Sequence, residues 1–443
     1  MSKSPIEGES KVSEQVVVGA QYVKQFFEKA PDRSFTVERI IGQGSWGFTL
    51  QMTMSSNETA STSFLNQAPG LRPLSFTPNE PSSQSLANPM DRGFRPAGVD
   101  LTDQLSRLSF GGPSLGQSPR MSRNITRFVL KRSLAEVGEK NITMEVDALD
   151  RLRGSMHFAQ PSHVLEDPRW KNISKPLKGP TLLMDWIENG LLWTFYERRS
   201  EVDEPLPNRL LWSLFLCLCR MVVGLAWPPR DLGKRASGEP GLEVIPPSNE
   251  KGERPPKSRL LHGDFHGQNI MIDKLEPKEH KFIPVLKLID FGMSRDLPVR
   301  QNEPKDIAVK TNIRAIGEVM LGLLRGNVRG GPGMMEITYK GETRTINSYA
   351  TDLDGLSSKY KAPSLMVGKH KDRIDNLDPS IRSLVALCVA VRVEDRPDIE
   401  DLLEIVEGNV RQKAAGDYIN YKYSSNETDD AINGIVDDYM YGA

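Results

Sequence analysis

At residues 260–272 the chain reads LLHGDFHGQNIMI, and at residues 286–292 it reads LKLIDFG. Apolar runs flank the polar residues in both stretches, which predicts short strands that hold each loop rigidly. The loops carry the carboxylates of Asp264 and Asp290 and the amide of Asn269. Carboxylate and amide oxygens are hard ligands that suit Mg²⁺, and a carboxylate near a metal can orient or deprotonate a hydroxyl. The two stretches therefore predict a phosphoryl-transfer site, where positioning and charge neutralisation supply most of the catalysis.

The pattern His-x-Asp-x-x-x-x-Asn followed by Asp-Phe-Gly resembles the catalytic loop and the metal loop of the protein-kinase-like superfamily. The resemblance covers residues 34–54 and 124–408. It implies an α+β, two-lobed protein-kinase-like fold, with a small β-rich N-lobe and a larger helical C-lobe. It also implies ATP and Mg²⁺ as cofactors, with Asn269 and Asp290 as metal ligands and Asp264 as the group that positions the substrate hydroxyl or accepts its proton.

A glycine-rich stretch, GQGSWGFTL at residues 42–50, follows a β-rich segment at 34–41. Glycines let backbone amides come close to phosphates. Because β-rich sequence lies on both sides, Gly42, Gly44 and Gly47 resemble the loop of a kinase hairpin; the dinucleotide-binding loop would need a helix after it. The alternative is a plain hairpin turn.

Two further positions match the family in order along the chain. A predicted strand at 126–130 ends in Lys131, which resembles the lysine that grips the nucleotide phosphates. A predicted helix at 141–153 carries Glu145, where the family has the glutamate that pairs with this lysine. The alternatives are a lysine unrelated to ATP and a solvated helix glutamate.

The segment TLLMDWIENG at 181–190 resembles the passage from strand to hinge between kinase lobes. By this resemblance, the backbones of Asp185 and Ile187 bind the adenine edge of ATP.

Two positions depart from the protein-kinase pattern. Gly263 replaces the arginine of His-Arg-Asp, and His266 stands where Ser/Thr kinases carry a lysine. No Ala-Pro-Glu follows Asp-Phe-Gly. The loop HGDFHGQN therefore reads closer to the aminoglycoside and choline phosphotransferases. The aromatic Trp46 and the Arg396-Pro397 ending favour a divergent protein kinase that acts on Ser/Thr. A small-molecule kinase and a nucleotide-binding pseudokinase scaffold remain as alternatives.

Composition shifts, together with the lobes that the kinase resemblance implies, divide the chain into regions. We predict an N-terminal extension with a helix at 1–33, an N-lobe at 34–184, a C-lobe at 185–410 and a flexible acidic tail at 411–443. A Ser-, Pro- and Asn-rich stretch at 55–123 predicts a disordered insertion in the N-lobe, since it cannot bury enough apolar surface to order itself. A second, Pro-rich insertion spans 228–257 of the C-lobe.

The overall composition sets the class of protein. The 443 residues are 38% hydrophobic and 26% charged, with a net charge of −1. This balance gives no electrostatic reason to expect nucleic acid or membrane partners. The resemblance to protein kinases implies ATP and a protein substrate as the partners. Three cysteines are too few and too scattered for a disulfide scaffold or a zinc site, and we interpret Cys217 as a core residue. The N-terminus lacks the apolar region of a secretory signal, which predicts a cytoplasmic or nuclear protein.

Overall fold

A computed structural model describes residues 13–30, 33–44, 47–55, 125–134, 136–202, 204–233, 240–276, 279–325, 331–354 and 375–442. It confirms a mixed α+β protein. The chain divides into two compact units, Met1–Phe128 and Val129–Ala443. The sequence placed a lobe boundary after Met184, whereas the units divide within a strand, Ile125–Ser133. Apart from Ser55, the predicted disordered insertion lies outside the described residues.

In the first unit, helix α1 (Glu14–Glu28) packs on a hairpin of strands β1 (Phe35–Gln43) and β2 (Gly47–Ser55). The helix begins at Ser13, whose hydroxyl accepts a hydrogen bond from a backbone N–H of the first turn, a common cap. Helix and hairpin approach closely because Gly19 has no side chain: a Cβ there would lie 2.8 Å from a ring carbon of Phe48. Helix α1 is the helix that the sequence predicts for the N-terminal extension.

Strand β3 (Ile125–Ser133) is divided between the two units, since Phe128 ends the first and Val129 begins the second. Short strands then form two antiparallel ladders, β5 with β8 and β6 with β7, and β9 and β10 form a hairpin. The strands are β4 (Thr181–Asp185), β5 (Leu260–Leu261), β6 (Ile270–Ile272), β7 (Leu286–Leu288), β8 (Arg295–Asp296), β9 (Gly333–Tyr339) and β10 (Glu342–Ser348).

Helices supply most of the second unit. They are α2 (Glu136–Arg151), α3 (Pro168–Ser174), α4 (Leu192–Ser200), α5 (Asn208–Ala226), α6 (Ile307–Arg325), α7 (Pro379–Cys388), α8 (Ile399–Gln412) and α9 (Asp429–Ile435). The core forms around α5, which α6 and α8 contact. Among the described residues, α5 is the one helix that is long and apolar enough to cross a membrane. Its apolar stretch is, however, fully buried inside the protein. Its apolar character on all sides is that of a core helix.

The C-terminal segment differs from its predicted form, since the described part of 411–443 is packed and not a flexible tail. Tyr418, Ile432 and Met440 are buried. The carboxylate of Glu427 is also buried, and it accepts hydrogen bonds from the backbone N–H groups of Asn208 (2.6 Å) and Arg209 (3.0 Å). These N–H groups belong to the first turn of α5, which has no partner for them within the helix. The prediction of a flexible tail rested on the acidic composition of the segment. It overlooked the apolar residues at helical spacing and the role of Glu427 as a cap of α5.

Candidate active site

The ladder of β6 and β7 positions two of the expected ligands. Ile270 pairs with Leu288 in the antiparallel register, and the Ile289 N–H donates to the carbonyl of Asn269 at 2.9 Å. Asn269 directly precedes β6 and Asp290 follows β7. Because the strands run in opposite directions, both side chains come from the same end of the ladder.

Asn269 also binds Asp264, the predicted catalytic residue. Its Nδ2 donates to the backbone carbonyl of Asp264 at 2.8 Å and to Oδ2 at 2.9 Å. On the other side, Nε2 of His266 lies 3.3 Å from Asp264 Oδ1. The Gln268 N–H donates to His266 Nδ1 at 3.2 Å, so the imidazole carries its proton on Nε2 and donates it to Asp264. This hydrogen bond lowers the pKa of Asp264 although burial opposes the shift, so Asp264 is ionised at neutral pH.

Lys131 joins the remaining two charged residues. Its Nζ lies 2.7 Å from Glu145 Oε2 and 2.8 Å from Asp290 Oδ1. Burial lowers the pKa of Lys131, but the two carboxylates outweigh burial and the pKa is raised, so the ammonium keeps its charge. The other oxygen of Glu145 accepts from the Phe291 N–H at 3.3 Å. Helix α2, strand β3 and the Asp-Phe-Gly loop are thus connected by one buried carboxylate.

The backbone of Asp290 is in a rare conformation. Its φ is +60°, in the left-handed region, which costs free energy for a residue other than glycine. The Gly292 N–H donates to Asp290 Oδ1 at 3.4 Å and helps to hold the turn. Aspartate and asparagine tolerate this region better than other side chains, so the turn and the carboxylate are compatible.

His262 packs against the Asp-Phe-Gly segment at 290–292. Its Nε2 donates to the carbonyl of Ile289 at 3.0 Å, and its Nδ1 accepts from the Asp264 N–H at 3.3 Å. The ring meets Phe291 edge-on at 4.6 Å between centroids. Both nitrogens are used in the neutral form, and burial lowers the pKa of His262 to about 4. His262 is therefore a structural residue of the loop at 260–272.

Acid should weaken the fold through His262. The unfolded chain takes up the proton near pH 6.5 and the folded chain near pH 4, so stability is full above pH 6.5 and is lost as pH falls to 4. The shift corresponds to about 3 kcal/mol of unfolding free energy. We expect His262→Gln to flatten the fall in melting temperature between pH 6.5 and 4. The control is His163→Gln, since His163 is exposed; equal pH slopes in His262→Gln and the wild type would contradict the assignment.

Gly263 is fixed by the backbone opposite it. Its φ is +84°, and a Cβ at this position would lie 2.4 Å from the carbonyl oxygen of Met293. Position 263, where the protein-kinase pattern has arginine, therefore accommodates only glycine in this structure. The neighbouring Arg295 side chain lies 3.3 Å from the same point.

A methyl group at position 263 should be costly. We expect Gly263→Ala to lower the free energy of unfolding by about 2–4 kcal/mol, from backbone strain and from the clash with Met293. The matched control is Gly322→Ala on α6, where an added Cβ has open space. That change should be neutral or slightly stabilising, because alanine is the better helix former. Equal melting temperatures for the two variants would show that the loop adapts.

The other predicted residues have the following positions. Asp185 ends β4 and donates its N–H to the Gln160 carbonyl at 3.0 Å. The backbone of Ile187, although the residue is buried, has no hydrogen-bond partner among the described residues. Gly42, Gly44 and Gly47 lie in the first unit, at the turn of the β1–β2 hairpin, where the Gly44 N–H donates to the Gly47 carbonyl at 2.9 Å. Neither crowding nor a positive φ explains glycine at 42 or 44.

Asn312 supports the loop at 260–272, a role that the sequence did not reveal. It lies inside α6. Its side chain accepts from the His262 N–H at 3.3 Å and donates to the Leu260 carbonyl at 3.0 Å. A buried asparagine between apolar helix positions is the signal that indicates such a bridge, since its amide must find partners.

The donor atoms fit a hard cation. Among the described residues, Asn269 Oδ1 and Asp290 Oδ2 have no protein partner, because the hydrogen bonds of these side chains use the other atoms. Mg²⁺ prefers such oxygens and usually takes one or two from the protein together with phosphate oxygens. The chemistry of the donor set therefore suits Mg²⁺. A scan against protein-family models found no match to this chain, and a search of curated proteins found none either.

Proposed function

We propose that this chain is an ATP- and Mg²⁺-dependent phosphotransferase with the two-lobed protein-kinase-like arrangement, acting on Ser/Thr of proteins. The observation that carries the proposal is the contact of Lys131 with both Glu145 and Asp290. A lysine that is held charged by a buried glutamate, beside an aspartate with a spare oxygen, is equipped to neutralise phosphate. Asp264 and Asn269 hydrogen-bond to each other, and the N–H of Ile289, the residue before Asp290, donates to the Asn269 carbonyl.

Each residue has a distinct role in this proposal. Lys131 binds phosphate oxygens and reduces the charge that develops during transfer. Asp264, ionised and held by His266 and Asn269, orients the acceptor hydroxyl and takes its proton. Asn269 and Asp290 would hold Mg²⁺, which supplies further charge neutralisation on the phosphates. The backbone of Ile187 makes no hydrogen bond among the described residues, which supports its expected role toward adenine.

A small-molecule kinase is the second candidate, and the geometry at Gly263 favours it. The Met293 carbonyl excludes any side chain there, so this loop has no arginine to receive an activation-loop phosphate. Regulation by that phosphate is then not expected. The His266 imidazole binds Asp264, in the place where Ser/Thr kinases carry a lysine.

A labelling experiment distinguishes the two candidates. The full chain is incubated with Mg²⁺ and ATP labelled at the γ-phosphate, with a mixed protein extract in one set and a panel of aminoglycosides and amino alcohols in the other. We expect label on protein Ser/Thr. Label confined to small molecules would support the second candidate. Nucleotide binding without transfer to either set would overturn both and leave a pseudokinase scaffold.

A further inference from the structure

The proposed active site does not use a second group of titratable side chains, which is buried in the second unit. It consists of His157, Cys217, His280 and Glu243, each less than a tenth exposed. The four come from separate segments: the loop after α2, helix α5, the loop between β6 and β7, and the Pro-rich stretch 228–257. We refer to them as the His–Cys cluster.

The candidate ligand atoms of the His–Cys cluster lie close together. One ring nitrogen of each histidine and the sulfur of Cys217 lie within 4.8 Å of one another. Nε2 of His157 is 3.2 Å from Nε2 of His280, whereas the 3.4 Å contact of Cys217 Sγ is with the other ring nitrogen of His280, Nδ1. Two nitrogens bound tetrahedrally to zinc at their usual bond length are about 3.3 Å apart. The histidine spacing therefore already matches that of a metal-bound pair.

Glu243 fixes the orientation of one histidine. Its Oε2 lies 2.5 Å from His157 Nδ1, and its Oε1 accepts from the His157 backbone N–H at 2.8 Å. The carboxylate holds a proton on Nδ1, so that Nε2 is the nitrogen directed at the cluster. Histidines that bind metals are oriented in this way by a carboxylate on the other nitrogen.

We propose that His157, Cys217 and His280 bind a divalent transition metal ion of the zinc class, with Glu243 orienting His157. Two imidazoles and a thiolate are the donors that zinc prefers, and they disfavour Mg²⁺. Glu279 Oε2 lies 3.7 Å from His280 Nε2, but both oxygens of Glu279 accept hydrogen bonds from Arg220, so the proposed site has three protein ligands. The ion joins three distant segments of the core, and its role is structural. This inference does not depend on the proposed phosphotransferase activity.

The proposal revises the expectation that three cysteines exclude a zinc site. That reasoning counted cysteines, whereas two of the three ligands here are histidines. The ligands at 157, 217 and 280 lie far apart in the sequence and form no spacing motif. Only the fold brings them together.

A metal-free explanation exists and makes different predictions. Burial lowers the pKa of His157, but Glu243 outweighs it and raises the pKa to about 10. Burial raises the pKa of Cys217, but the two imidazoles lower it to about 6. Without an ion the cluster is then an imidazolium–thiolate pair. A cluster that stays in this form carries no metal ion and gives no metal–thiolate spectrum.

The test uses the full chain, purified without a histidine tag and analysed for metals. We expect about one zinc per chain in the wild type, and below about a tenth in Cys217→Ser and His280→Gln. The matched control is Cys219→Ser, since Cys219 lies on the same helix, is equally buried and stands outside the cluster. This variant should retain its zinc.

Cobalt exchange keeps the proposal testable if the variants fold poorly. Zinc is removed from the wild-type chain by a chelator, and Co²⁺ is added. We expect a thiolate-to-cobalt charge-transfer band and tetrahedral visible absorption, and both should be displaced by added Zn²⁺. A wild-type chain that carries no zinc and shows no thiolate band with Co²⁺ would overturn the proposal. A band that persists in Cys217→Ser would overturn the assignment of the ligand.

Discussion

Replacing Asp264 with asparagine is expected to lower kcat by about 10³-fold, since a positioned base contributes about 10²–10⁴. The carboxylate accepts from His266 through Oδ1 and from Asn269 through Oδ2. Asparagine keeps the size of the side chain but cannot take the proton, and it has one acceptor oxygen in place of two. The KM for ATP should change little, because Asp264 acts on the acceptor hydroxyl. Initial rates of phosphate transfer at saturating ATP measure the effect.

Two controls accompany Asp264→Asn. Asp438→Asn changes an exposed carboxylate on the C-terminal segment and should leave kcat unchanged. The melting temperature of Asp264→Asn shows whether the loop remains folded, since one hydrogen bond of the network is lost. A rate within about tenfold of the wild type, in a folded variant, would remove Asp264 from the role of base.

The sequence was sufficient to predict the local parts of this site. Asp264 and Asn269 lie in one short loop between apolar strands, so their spacing largely determines that they meet. Asp290 follows the next strand, and strands close in sequence commonly pair. These are short-range relations, and a motif records them directly.

The sequence could not explain Gly263, because the reason for it lies elsewhere in the chain. From the sequence alone, glycine in place of the arginine of His-Arg-Asp indicates only that the residue able to receive an activation-loop phosphate is missing. The structure shows a backbone carbonyl, that of Met293, at the position a Cβ would take. Nothing in the residues around 263 indicates this contact, since it depends on how two loops pack.

Long-range packing also explains what was missed at the C-terminus and in the core. The polar, acidic composition of residues 411–443 predicted a solvated tail. In the structure Glu427 caps α5, although Glu427 and the start of α5 are more than two hundred residues apart in the sequence. The His–Cys cluster is similar, since its members share no motif. The turn of the β9–β10 hairpin is instead a local feature, since Lys340 and Gly341 have the positive φ angles of a tight hairpin turn.

The second large effect is expected for Asp290→Asn. The carboxylate contacts Lys131 through Oδ1 and leaves Oδ2 as a hard oxygen ligand. Asparagine tolerates the backbone φ of +60°, whereas alanine would add backbone strain to the loss of the ligand. Removal of one anionic ligand is expected to cost several kcal/mol of transition-state stabilisation, which is about a 10³-fold loss of kcat.

The dependence on Mg²⁺ distinguishes the metal role of Asp290 from its contact with Lys131. If Asp290 holds the ion, Asp290→Asn needs a higher Mg²⁺ concentration to reach half of its own maximal rate. A matched control is Asp296→Asn. Asp296 also pairs with a cation, since its Oδ2 lies 2.9 Å from Nη1 of Arg151, and its side chain is more exposed than that of Asp290. This variant should keep both the rate and the Mg²⁺ dependence. An Asp290→Asn variant with a reduced rate but unchanged Mg²⁺ dependence would contradict the ligand role, because the loss would then come from the Lys131 ion pair alone.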